Sequence, residues 1–245
     1  MRNRWSWKCS CELELTVLTV SSGLTSTNNL QQKLSLTCTE TQNSVLADLL
    51  FSEATLVTLL TELCNTYART VVADGLLDQA TRDLLFGNCE ELLAMHTRLL
   101  ARFTNEQTVD GVCEAFRAVD TQLLLLHVAF AKTYVNSRIL IRDAVWLRKQ
   151  RAFRTMLDRV SHEHGGNPKH NPLFFLLHAP SLYGLAKYEG ILRALLHATP
   201  ANSTDRALLE RTVESMEKNA RFVKEAEEQA DLHARGAEQQ RQYER

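Results

Sequence analysis

Residues 45–67 read VLADLLFSEATLVTLLTELCNTY, and the spacing of their apolar side chains decides the fold class. Leu46, Leu49, Leu56, Leu60, Leu63 and Tyr67 recur at intervals of three and four, which places them on one face of an α-helix. Glu53 stands in the same seam and is its only member that is neither apolar nor aromatic. A carboxylate there is costly unless it is paired or lies where the seam emerges into solvent. Two readings follow from the residues alone. In one, Glu53 marks a fray or meets a Lys or Arg of another helix; in the other, this end of the seam is a surface for a partner.

The same period runs outward from this stretch. A second helical region extends from Leu76 to Phe103, with a break or bend at Phe86-Gly87-Asn88. A third spans Val109 to about Val135, and a fourth Arg138 to about Val160. The run from His164 through Gly165, Gly166 and Pro168 to Pro172 is a loop. A fifth helix resumes at Leu173 and is stopped by Pro200, which lacks a donor and crowds the preceding turn. Ser203 or Thr204 then caps a last helix, with Asp205 in its first turn. The stripe of that helix is Leu209, Val213, Met216, Ala220 and Val223, and it fades after Glu225. About six long amphipathic helices predict an all-α, elongated helical bundle.

Composition agrees and removes several classes. The chain has 245 residues, 44% of them hydrophobic, with only 4 Pro and 9 Gly, too few turn formers for an all-β fold. A formal net charge of -1 argues against a generic nucleic-acid or membrane-surface binder, which would need a basic excess. No uninterrupted apolar run suggests a transmembrane segment, and no signal peptide is read at the N-terminus. The scattered cysteines read as reduced thiols, which predicts a cytoplasmic protein. Cys9-x-Cys11 has no second pair to complete a metal site, and His162, His164 and His170 flank a polar loop; no metal or cofactor is expected. There is no phosphate-cradling glycine loop and no nucleophile elbow, so covalent catalysis is not expected. Gly184, Ala186 and Gly190, near Lys187 and Tyr188, are unusual in a helix interior, where glycine costs on the order of 1 kcal/mol against Ala. They suggest close approach of another backbone.

Four segments, in order, resemble Dbl homology domains. Ser52-Glu53-Ala54-Thr55-Leu56-Val57 is similar to the family's first region, and Leu85-Phe86-Gly87-Asn88-Cys89-Glu90-Glu91-Leu92 with His96 to its second. Ser181 to Leu192 with Leu195, Leu196, Thr199 and Pro200 resembles the third, and Ala220 to Glu225 the close of the last helix. The resemblance implies a guanine-nucleotide exchange factor for a Rho-family small GTPase, acting without covalent chemistry. It implies that Glu53 anchors switch I, that Lys187 contacts the switch II side, and that Lys224 occupies the position of a GTPase-contacting Asn. Tyr183, Gly184, Gly190 and Lys224 depart from the family pattern. A non-catalytic helical scaffold or GTPase-binding module is therefore the alternative. Residues 1–43, strand-like around Leu13, Leu15 and Val17, are expected to be a poorly ordered extension or short hairpin. Residues 44–228 form the helical domain and 229–245 a polar tail. No pleckstrin-homology domain is expected in this chain.

Overall fold

The computed structural model describes residues 40–163 and 172–243, and every long element among them is helical. Helix α1 runs Glu40–Ala73. It is followed by α2 (Gln79–Phe86), α3 (Cys89–Asn105), α4 (Val109–Arg142), α5 (Ala144–Lys149), α6 (Arg151–Glu163), α7 (Pro172–Tyr183), α8 (Leu185–Ala198) and α9 (Arg206–Tyr243). The strand-like residues near the N-terminus, Cys9, Cys11 and the loop histidines 164 and 170 lie outside the described residues.

The bundle is all-α, as the periodicity predicts, and most boundaries have local causes. The second region divides at Gly87, whose φ of +49° suits glycine and whose missing side chain leaves room for Thr133. Asp78 caps α2 by accepting from the Thr81 amide at 2.8 Å, and Thr108 caps α4 through the Gly111 amide at 3.0 Å. The third helix is longer than its sequence pattern suggested. It continues through Arg138 to Arg142, and the fourth region becomes α5 and α6, because Asp143 accepts from the amides of Val145 and Trp146 and restarts the chain there. The fifth breaks at Gly184. The last helix begins at Arg206, just after Ser203, whose hydroxyl accepts from the Asp205 amide at 3.4 Å and whose carbonyl accepts from the Arg206 amide at 3.3 Å. Beyond Glu225 the polar segment continues as part of α9, and Asp231 pairs with Arg138 of α4.

The core has two apolar clusters. One gathers the C-terminal half of α1 with α2, α6, α7 and the end of α4, around Leu56, Leu60, Tyr67, Phe130 and Phe153. The other gathers the start of α1 with α3, the first half of α4, α8 and α9, around Leu49, Leu99, Phe116, Leu192 and Leu209. Polar ties fix the helices in register: Gln42 donates to Thr199 at 3.0 Å, and Asp120 of α4 accepts from Ser215 and Asn219 of α9, each at 2.8 Å. Among the described residues, α1 alone is long and apolar enough by composition to cross a membrane, which the sequence reading had not anticipated. Its stripe from Leu46 to Tyr67 is buried against other helices of the bundle.

Candidate functional site

Between the two apolar clusters lies a buried polar network. On α1, Glu53 falls between Leu49 of one cluster and Leu56 of the other. On α3, His96 falls between Leu92 and Leu99, and on α4, His127 falls between Leu123 and Phe130, again across the division. Glu53 and His96 are both 0% exposed and His127 is 3% exposed. His96 Nδ1 lies 2.9 Å from Glu53 Oε1, and His96 Nε2 lies 3.0 Å from His127 Nε2. Tyr188 of α8 donates its hydroxyl to Glu53 Oε2. The Tyr188 hydroxyl also lies 3.2 Å from His96 Nδ1, so these three polar groups meet at one point. The four side chains thus join four helices through hydrogen bonds.

Burial sets the charges. Desolvation, with the neighbouring His96, holds His127 well below the ordinary histidine range. Burial, with the Glu53 carboxylate alongside, pushes the Tyr188 phenol well above its usual value, so it stays a donor. Gly184 belongs to the same arrangement. A side chain there would collide with the His127 ring and the Pro180 carbonyl. What approaches Gly184 from another helix is the His127 side chain and not a second backbone, the Pro180 carbonyl belonging to the turn just before it.

Glu53 is therefore a core residue, and the surface anchor expected of it is corrected. A fully buried carboxylate bonded to His96 and Tyr188 has no face to offer another protein. The pairing alternative is the one the structure realises, with histidine and tyrosine in place of Lys or Arg. Lys187, one residue before Tyr188, is exposed. It lines a shallow groove of about 250 Å³ between α1 and α8 with Val45, Asp48, Ala186, Gly190 and Ala194. Gly190 has open space where a side chain would project, so among the described residues no other helix takes up the room. Asp48 was not singled out by the sequence reading. Its signal was slight: a lone acid on the flank of the stripe, one turn from Val45. Lys224 is exposed on α9, 3.9 Å from Glu228 one turn on. The structure thus separates the three expected residues, with Glu53 inside the bundle, Lys187 in the groove and Lys224 on the last helix.

Comparison with known proteins adds to this geometry. A model of the RhoGEF domain matches residues 45–224. No curated protein matches the chain. Similar solved folds include the DH/PH domains of PDZ-RhoGEF in complex with GTP-gamma-S-activated RhoA, at 17% identity and a TM-score of 0.69 over 84% of this chain and 61% of that one. The DH/PH domains of p115-RhoGEF match at 17% identity and a TM-score of 0.69, over 88% and 60% of the two chains. A Vav1 exchange factor with PH and C1 domains matches at 18% identity and a TM-score of 0.66, over 77% and 50%. At such identities the likeness establishes the fold. The chain spans between half and about three fifths of those solved chains.

Proposed function

The chain belongs to the RhoGEF domain family, and from that premise we propose that it is a guanine-nucleotide exchange factor for a Rho-family small GTPase. The observation that carries this reading is the α1–α8 groove, where Asp48 and Lys187 present opposite charges beside the open backbone of Gly190. Opposite charges at fixed positions orient a protein partner and set its register. The small residues Ala186, Gly190 and Ala194 let the partner's chain approach α8 closely.

The mechanism is allosteric. A bundle that binds the GTPase better when nucleotide and magnesium are absent must weaken nucleotide binding by the same factor. Lys187 acts on the switch II side and disturbs the magnesium site. Asp48 takes the acidic contact with switch I that the family resemblance assigned to Glu53. Glu53 serves that contact from within: its bond to Tyr188 ties α8 to α1 and so fixes the spacing of Asp48 and Lys187. Lys224 extends the contact surface along α9. GTP then enters by mass action.

The test is release of a fluorescent GDP from a panel of Rho-family GTPases. The expected result is acceleration on at least one of them, lost in Lys187→Ala and in Asp48→Ala while both variants melt like the wild type. A second reading, a scaffold that binds a GTPase without exchange, is favoured by Lys224, which replaces the family's Asn and faces Glu228. Binding without acceleration across the panel would assign the chain to that reading.

A further inference from the structure

Positive charge is concentrated on one stretch of the chain. Within residues 138–159, Lys and Arg heavily outnumber the acids, which are Asp143 and Asp158 alone, although the whole chain has a net charge of -1. Arg138 is engaged by Asp231, and Arg142 lies over the Phe174 ring. Arg148 at the end of α5 and Arg154 on α6 are placed differently. They line a pocket of about 490 Å³ formed by the end of α4 with α5 and α6. The apolar part of its wall is made by Ile141, Ala144, Leu147 and Leu157.

Two further features mark the pocket as receptive. Along α6, Arg154, Leu157, Asp158 and Ser161 follow at three- and four-residue intervals and so share one face. Ser161 is 5% exposed, yet among the described residues its hydroxyl has no hydrogen-bond partner. A buried hydroxyl without a partner carries a desolvation penalty that a ligand oxygen would relieve. Asp158, the single acid of the lining, stands 3.9 Å from Arg154 with both side chains about three-fifths exposed, a loose pair that leaves most of the guanidinium donors free. Two guanidiniums near one mouth suit an anion with several oxygens, because each presents a planar fork of donors. The apolar part of the wall suits a hydrocarbon stem.

We propose that this pocket binds a phosphate monoester carried on an apolar stem, of which phosphatidic acid is the simplest lipid example. The phosphate sits between Arg148 and Arg154, the stem lies against Leu147 and Leu157, and the Ser161 hydroxyl donates to an oxygen where head and stem join. The site stands apart from the α1–α8 groove and does not rest on the exchange reading.

The experiment uses the full chain and three probes. These are phosphatidylcholine vesicles containing phosphatidic acid, the same vesicles with phosphatidylserine instead, and soluble short-chain phosphatidic acid titrated calorimetrically. Phosphatidic acid should be preferred over phosphatidylserine. Arg148→Ala with Arg154→Ala should weaken binding by about tenfold or more, as expected for charge-assisted contacts, and Ser161→Ala should weaken it severalfold. Lys149→Ala with Arg151→Ala removes the same charge outside the lining and should have little effect. All variants are checked for unchanged melting. Binding of the soluble lipid as tightly as the vesicles assigns the ligand to a free phosphate ester, and a strong vesicle advantage assigns it to a membrane lipid; either supports the site. Equal binding of phosphatidylserine, equal losses from both double variants, or no binding to any probe overturns it.

Discussion

Nδ1 of His96 lies 2.9 Å from Oε1 of Glu53, and neither side chain is exposed to solvent. Removing the carboxylate takes away the acceptor that Tyr188 and His96 share and leaves them only each other, 3.2 Å apart. Glu53→Ala should therefore destabilise the fold by about 2–4 kcal/mol, the cost of leaving buried polar groups without their acceptor. Glu53→Gln keeps an acceptor for Tyr188 and should cost less, about 1–2 kcal/mol. Urea denaturation of the three proteins checks the order. An Ala variant with an unchanged midpoint would return Glu53 to the surface role that the sequence suggested.

His127 makes stability depend on pH. In the unfolded chain histidine titrates near pH 6.5, while burial and the adjacent His96 keep His127 neutral in the fold to well below that. His178 is shifted the same way by burial and by Arg138. Above about pH 7 both states bind equal protons at these sites, and neither histidine contributes a slope. As the pH falls through about 6.5 the unfolded state gains protons that the native state refuses, so stability drops, by up to about 1.4 kcal/mol per pH unit for His127. The urea midpoint should thus decline from about pH 7 to about pH 5.5. His178→Phe preserves the stacking on Tyr134, where the ring centroids are 5.0 Å apart, and should flatten part of the decline. A midpoint that stays level across this window would mean that neither histidine is held neutral.

Much of the bundle was legible because helices that bury one face must repeat their apolar residues at the helical period. The anomaly at Glu53 was legible too, but its resolution was not. His96 stood in a family-like motif and His127 in a leucine-rich run, and nothing in their spacing says that they meet Glu53. That meeting depends on how α1, α3, α4 and α8 cross, a tertiary fact without a local signature. Gly184 shows the same limit. Sequence marks it as a small residue where something comes close, and only packing reveals the His127 ring. Of the groove residues, Lys187, Ala186 and Gly190 stood out in the sequence, whereas Asp48 did not, because an exposed acid looks like any solvated one.

The two glycines of this region should respond oppositely to alanine. At Gly184 a methyl group meets the His127 ring and the Pro180 carbonyl, so Gly184→Ala should destabilise by about 1–3 kcal/mol. At Gly190 nothing lies within 4 Å and the backbone is helical, so Gly190→Ala should stabilise by about 0.5–1 kcal/mol. If the groove receives a GTPase, the same methyl obstructs close approach. The more stable protein should then be the slower exchange factor. Thermal melts paired with GDP-release rates read both effects, and a Gly190→Ala variant with undiminished exchange would remove the groove floor from the contact surface.

Lys224 is the position where the chemistry of this chain departs most from the family pattern. The family's Asn both donates and accepts hydrogen bonds, whereas an ammonium only donates and adds a charge. Here Lys224 is exposed on α9 and sits 3.9 Å from Glu228. Such a pair on a solvated helix face contributes little to stability. Lys224→Asn should leave stability within about 0.5 kcal/mol and restore an acceptor to the surface proposed for the GTPase. Exchange on the cognate GTPase should consequently rise. The two proteins must be compared at one ionic strength, since the lost charge alone alters encounter rates. A parallel Glu228→Gln variant separates the causes: it frees Lys224 from its neighbour without supplying an acceptor. Faster exchange in Lys224→Asn but not in Glu228→Gln assigns the effect to the acceptor. No gain in either variant would place this turn of α9 outside the contact.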